Sequence, residues 1–380
     1  MDVGDIRAAH AAGPDWRSAA DACLAELGPV DPANRANLGF VYATDAFAED
    51  LSDIAAYLRE TTGIPHWVGS VGLGICATGI EYFDEPALCL LTGAFPDDAF
   101  RVFPALVDDL RAFEAGYGAW CDAAGARFAM VHGDPRNAAT ESLLRALCER
   151  MEGGFLVGGL TSSRGAHPQL ADGITSGGVS GVVFAPEVGV VTRLTQGCAP
   201  LGPRHGITAC QGNVLMELDG RPALDVFYED IGQFMGDTLA ADPSRLGSTV
   251  FAGLPVKGSD TGDYLVRNLA GIDEDNRLVA IAERVQTGDA IMFCRRDRHA
   301  AEQDMGRMLD EIGGALDGPP AGGVYYSCLA RGPNLLGADS EELKLIEDAL
   351  GSFPLVGFFG NGEISHNRLY GYTGVLTLFV

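Results

Sequence analysis

The first pair of residues with chemistry in it is a cysteine followed three positions on by an arginine. Cys328 ends an apolar run, 324–328, and Arg331 follows it; a nearby positive charge lowers a thiol pKa and favours the nucleophilic thiolate. The competing reading is a buried core thiol. Glu363 follows Asn361 and Gly362 in a tight turn, where a carboxylate either takes a ligand amine or stands solvated. His132 and Asp134 flank a glycine at the end of another apolar run. Of the seven histidines, His132 is the one to test as a ligand. None stands at metal-ligand spacing, so structural or solvated roles are expected for the others.

No base and nucleophile can be paired from these residues, and no G-x-S-x-G, H-E-x-x-H, G-x-x-x-x-G-K-[ST] or complete EF-hand motif is present. No catalytic residue, metal site or cofactor is therefore assigned. The run Gly69-Ser70-Val71-Gly72-Leu73-Gly74 lacks the glycine order of a dinucleotide fingerprint. Schiff-base chemistry is limited to the two lysines, Lys257 and Lys344, and Lys257 sits in a solvated, turn-like stretch. The nine cysteines are odd in number and include no C-x-x-C pair, so they read as small buried apolar residues.

The elements that must position these residues form a pattern that occurs three times: an apolar strand, an amphipathic helix, a short strand carrying Val-Gly, and a further strand. The first copy has a strand at 38–43, a helix at 50–59, His66-Trp67-Val68-Gly69 and a strand at 87–92. The second has 127–131, a helix at 138–151, Phe155-Leu156-Val157-Gly158 and 181–185. The third has 324–328, a helix at 340–350, Pro354-Leu355-Val356-Gly357 and 374–380. Helical spacing of Leu143, Leu144, Leu147 and Met151, and of Leu343, Ile346 and Leu350, supports the helices, with Asp339 or Ser340 as a cap.

If the first two strands of each copy are parallel, their carboxyl ends share one edge of the sheet, where open α/β sheets bind ligands against helix N-termini. The candidate ligand residues on that edge are Ser70, His132, Asp134, Thr161, Ser162, Cys328, Arg331, Gly332, Asn361, Gly362 and Glu363. Alanine at Arg331 or Asn361 is expected to weaken binding and leave the fold intact. Between the second and third copies lie a helix at 224–239, short strands at 249–255, 264–268, 278–282 and 290–294, and a helix at 300–312. The fold expected is α/β (α+β), two domains with mixed sheets of repeated β-α-β-β units flanked by helices: a helical extension at 1–37, then domains at 38–220 and 221–380.

The net charge of −26 repels phosphate backbones and anionic membranes, which excludes nucleic acid and membrane surfaces as partners. The start, Met1-Asp2-Val3-Gly4-Asp5, has acids where a signal peptide needs bases, and no apolar run is long enough to span a bilayer. A cytoplasmic location is expected.

Three segments carry a family resemblance: Gly197-Cys198-Ala199-Pro200-Leu201-Gly202-Pro203, Asn213-Val214-Leu215-Met216-Glu217-Leu218-Asp219-Gly220-Arg221-Pro222-Ala223, and Gly360-Asn361-Gly362-Glu363-Ile364. They resemble the FIST N and FIST C domains, in the same order, over roughly residues 38 to 372. The run Tyr325-Tyr326-Ser327-Cys328-Leu329-Ala330-Arg331-Gly332 resembles the family's cysteine-and-arginine turn, with Ala330 where glycine is common. Many members place threonine and glutamate in the loop that here reads Gly69 to Gly74.

The resemblance implies an intracellular small-ligand sensory module in signal transduction. Here a stand-alone protein is expected, with an amino acid or related metabolite as ligand and a separate signalling protein as partner. Some FIST proteins are haem-based nitric-oxide sensors, which makes haem the alternative cofactor, with an edge histidine as axial ligand. An enzyme using Cys328 on a small substrate is the remaining alternative and requires a histidine within hydrogen-bond reach.

Overall fold

In the computed structural model, which describes residues 5–28, 36–96, 98–240, 249–256 and 264–380 (the backbone alone over 233–240), the three apolar runs are strands. Leu38–Thr44, Phe128–Gly133 and Gly322–Cys328 are buried along their whole length. Strands covered on both faces read this way, as continuous apolar runs without alternation. Lys257 lies outside the described residues.

The chain divides into two compact units, Met1–Gln196 with Gln303–Val380, and Gly197–Glu302. All three copies fall in the first unit, and each is fuller than the sequence pattern indicates. A copy comprises a leading strand, a helical segment, a first strand, a helix, a second strand, a short hairpin and a closing strand. In the first copy these are Arg7–Ala12, Trp16–Leu27, Leu38–Thr44, Leu51–Thr62, His66–Gly72, the hairpin Gly74–Ala77 with Ile80–Phe83, and Ala87–Gly93. The second runs from Phe100–Leu106 through Phe128–Gly133, Thr140–Arg150, Phe155–Leu160 and the hairpin Gln169–Ala171 with Gly173–Thr175 to Val179–Phe184. The third starts at Val190–Gln196 and resumes with Arg298–Ala315, Gly322–Cys328, Glu341–Leu350, Leu355–Gly360, the hairpin Glu363–His366 with Arg368–Tyr370, and Thr373–Phe379. Residues before 38, expected as a helical extension, thus include the strand Arg7–Ala12, which pairs along its length with Ala87–Gly93.

In every copy the first and second strands are parallel and the closing strand is antiparallel to the first. The hairpins are exchanged in a ring. That of the first copy pairs with the second strand of the third, that of the third with the second copy, and that of the second with the first. Three six-stranded mixed sheets of equivalent order result.

Alternation along each first strand divides two cores. Phe40, Met130 and Val324 join one central cluster shared by all three sheets, whereas Val41, Val131 and Tyr325 face the helices of their own copy. The Val-Gly signature has a steric cause. A Cβ at Gly69, Gly158 or Gly357 would lie 1.8, 1.8 and 1.7 Å from the carbonyl oxygen of Val41, Val131 and Tyr325 respectively, so the parallel strands approach there only with glycine.

The second unit is an antiparallel sheet with the helix Ala223–Ala240. Its strands Ala290–Arg296, His205–Gln211, Val214–Leu218, Leu278–Ile281, Tyr264–Asp273 and Val250–Pro255 pair in that order, and the last pairs back with the first. The ring so closed is a barrel without free edges, and Leu224, Phe227 and Ile231 of the helix pack with its interior. In chain order this unit is an insertion into the third copy, after its leading strand. No helix among the described residues is long and apolar enough to cross a membrane.

Candidate functional site

At the end of the third copy's first strand the chain turns back, Arg331 N–H donating to Cys328 O at 2.8 Å. Arg331 is fully buried, its Nε 2.7 Å from Glu342 Oε1 and its Nη2 3.8 Å from the Met305 sulfur. Glu342, equally buried, also accepts from Tyr325 OH (2.5 Å), Ser327 Oγ (3.1 Å) and Gly332 N–H (2.7 Å). Gly332 is required at this corner. It sits at φ +52, and a Cβ would stand 2.8 Å from the Phe359 ring.

Two further carboxyls feel the charge of Arg331. Glu363 is fully buried; its Oε2 accepts from Thr373 N–H (3.1 Å) and Thr373 Oγ1 (2.6 Å). Glu81 comes from the exchanged hairpin of the first copy, and its carboxyl meets the first-turn amides of the helix Glu341–Leu350, those of Leu343 and Glu342. The expected Ser340 cap is absent because Ser340, at φ +61, instead accepts the Glu81 N–H at 2.8 Å. Three buried atoms here lack hydrogen-bond partners: Arg331 Nη1, Glu81 Oε1 and Glu363 Oε1. Burial pushes both carboxyls up to about 8, with the charge of Glu342 adding at Glu81 and the Thr373 bonds opposing at Glu363. Both therefore keep their protons at neutral pH, and Glu342 is the carboxyl that pairs with Arg331.

Of the residues expected to bind ligand, Cys328, Arg331, Gly332 and Glu363 come together here. Burial, then the neighbouring Glu363, pushes the Cys328 thiol far up, which removes the thiolate that the nucleophile reading needs. Alanine at Arg331 would strand Glu342 in the core, so the expectation of an intact fold does not survive the burial of this pair.

The other candidates serve to close the strand ends of the three copies on one another. Ser162 donates its N–H to Val71 O (3.3 Å) and its hydroxyl to Phe359 O (2.5 Å), and accepts the Leu73 N–H (2.8 Å). Asn361 Nδ2 donates to Thr161 O (3.1 Å), Leu160 N–H to Gly362 O (2.8 Å), and Ser70 Oγ to Pro168 O (3.3 Å). Thr161 Oγ1 lies 2.9 Å from His167 Nδ1, and Asp134 is clamped by Arg136 through Nε and Nη2.

His132, Tyr42 and Tyr326 occupy equivalent positions in the three copies and meet in the shared core. Tyr42 OH is 3.1 Å from His132 Nε2 and 3.0 Å from Tyr326 OH. Desolvation lowers His132 to about 3, so it is a neutral core histidine. With Nε2 taken and Tyr42, Tyr326 and Phe358 packed around the ring, its surroundings do not fit an axial haem ligand.

The chain matches the FIST N domain over residues 37–221 and the FIST C domain over 223–366. It belongs to the FIST family. FIST domains are associated with sensory roles in signal transduction. Among its relatives is an uncharacterized protein of Mycobacterium tuberculosis (strain ATCC 25618 / H37Rv), 32% identical over 97% of each chain. An uncharacterized protein of Mycobacterium bovis (strain ATCC BAA-935 / AF2122/97) is 28% identical over 97% of this chain and 96% of its own.

The cysteine-and-arginine turn thus frames a buried charge cluster two of whose members, Glu342 and Glu81, escaped sequence reading. Glu342 lay on a predicted helix in an acidic run, Ser340-Glu341-Glu342, that reads as solvent-facing. Glu81 stands far from Arg331 in sequence, in a hairpin strand of four residues, Ile80–Phe83, and no local pattern marks it.

Proposed function

We propose that this FIST protein is a small-ligand sensor whose ligand offers a hydrogen-bond acceptor, such as a carboxylate, to Arg331, Glu81 and Glu363. The observation that carries the reading is a fully buried guanidinium with a free donor, and two carboxyls within reach of its charge that each have a free oxygen. Buried polar groups are nearly always paired, because an unmade bond costs about 1–3 kcal/mol. Three unpaired groups around one cation make a site that an acceptor would complete. Since Glu363 Oε2 already accepts two bonds, its proton belongs on Oε1; Glu81 carries its own in the same neutral state. All three groups then donate. A metabolite with a carboxylate, an amino acid included, suits that set. Action in the cytoplasm through a separate signalling protein belongs to the same proposal, which rests on the family's sensory role.

The test is a thermal-shift screen of amino acids and other small carboxylates at pH 7, followed by calorimetry on Glu363→Gln and Glu81→Gln, which keep shape and neutral charge. A stabilising compound whose affinity changes in both variants supports the site. A screen in which nothing raises Tm, or a hit that binds both variants as it binds wild type, removes it.

A further inference from the structure

Away from the Arg331 cluster, the first unit holds a cavity of about 290 Å³ beside the start of the helix Leu51–Thr62. Asp50, at the cap position, makes no side-chain bond to that helix, so its opening amides, including those of Leu51 and Ser52 on the cavity wall, have no side-chain acceptor. Across the cavity stands His167, nine-tenths buried, whose Nδ1 is 2.9 Å from Thr161 Oγ1. That contact takes up Nδ1, and Nε2 has no hydrogen-bond partner among the described residues. Burial and the charge of Arg136 hold His167 below its ordinary value, so the imidazole is neutral at pH 7.

Arg136 completes the wall. Its Nε and Nη2 are spent on the buried Asp134 at 2.9 and 2.7 Å, while its side chain remains 60% exposed and lines the cavity. Asp134 is neutralised by that clamp. The opposing charge on the lining is Glu49, exposed at the rim. The body of the cavity is apolar: Ala48, Ala166, Pro168 and Ile174. Helix amides, a ring nitrogen without a protein partner and a guanidinium around one space suit an oxyanion head. The volume is at the lower end for a small organic ligand.

The geometry points to a second binding site, between the N-terminus of the helix Leu51–Thr62, His167 and Arg136, for a small molecule with an oxyanion head and a short apolar body. The ligand class is a carboxylate or a phosphate ester. This site shares no side chain with the Arg331 cluster, so either stands if the other fails.

Two probes test it on the full chain: inorganic phosphate and butyrate, titrated separately while the amide resonances of Leu51 and Ser52 are followed by NMR. Saturable shifts of both amides support the site. Phosphate alone would identify a phosphate-bearing ligand, butyrate alone a carboxylate, and both the shared oxyanion chemistry. His167→Gln should weaken binding about tenfold through loss of the placed ring nitrogen. Ala166→Phe, which fills the cavity without touching a hydrogen bond, should abolish binding, and Glu363→Gln should leave it unchanged. No shift at Leu51 and Ser52 with either probe at millimolar concentration, or undiminished binding by Ala166→Phe, overturns the proposal.

Discussion

Arg331 and Glu342 show what a buried ion pair asks of its surroundings. Four donors converge on one carboxylate, which offsets the cost of taking both charges out of water. Removing one partner leaves the other uncompensated, so Arg331→Ala should lose about 3–5 kcal/mol in urea unfolding. A loss under about 1 kcal/mol would mean that the pair is solvated. The neighbouring Glu363 and Glu81 act in the opposite sense. Both are held near 8 against an ordinary 4.5, so the folded state keeps protons that the unfolded state releases. Stability from these groups is full below pH 4.5 and declines as pH rises toward 8. Glu363→Gln removes its share, and its Tm advantage over wild type should grow from pH 5 to pH 8. A constant difference would place Glu363 in water.

At the scale of elements, glycine decides how closely the paired strands lie. Gly158→Ala places a methyl carbon against the Val131 carbonyl, and its loss in Tm should far exceed that of Gly165→Ala, where nothing stands within 4 Å. In the barrel unit, His205 joins strand to helix: Nδ1 lies 2.7 Å from Asp219 and Nε2 2.9 Å from Asp230. Burial opposes the charge of His205, but the two carboxylates outweigh it and raise the imidazole above its ordinary 6.5. Burial pushes Asp230 itself up; with both ring nitrogens on carboxylate oxygens, the geometry favours imidazolium. This stabilisation is complete below pH 6.5 and is lost as pH rises through the raised value. Hydrogen exchange in the strand His205–Gln211 should therefore quicken between pH 6 and 8 beyond its intrinsic rate, and His205→Asn should abolish that excess.

For the whole molecule, the inserted unit leaves and re-enters the first unit at neighbouring points. Gln196 N–H donates to Asp304 at 2.6 Å, and Arg307 Nη2 to Leu194 O at 3.0 Å. A short linker replacing Gly197–Glu302 should then preserve the three-sheet unit as a cooperatively melting protein, since insertions with close ends are tolerated. A non-cooperative melt would show that the three sheets depend on the barrel.

The sequence by itself determined the threefold repeat and the helices within it, because each rests on patterns a few residues long; the parallel strand pairs it could only assume, and the structure supplies them. Apolar runs, helical spacing and Val-Gly signal what the neighbouring backbone requires. It placed Cys328, Arg331, Gly332 and Glu363 among eleven candidate residues on one strand-end edge, without separating them from the rest. The tertiary structure alone decided the rest. The hairpins Gly74–Phe83, Gln169–Thr175 and Glu363–Tyr370 are too short for periodicity and become strands by pairing with another copy. His132 changes from an edge ligand to a core residue because its Tyr42 and Tyr326 partners come from the other two copies. Glu81 reaches Arg331 only through hairpin exchange, so the charge balance of the site is a property of the closed ring of three copies and not of any one of them.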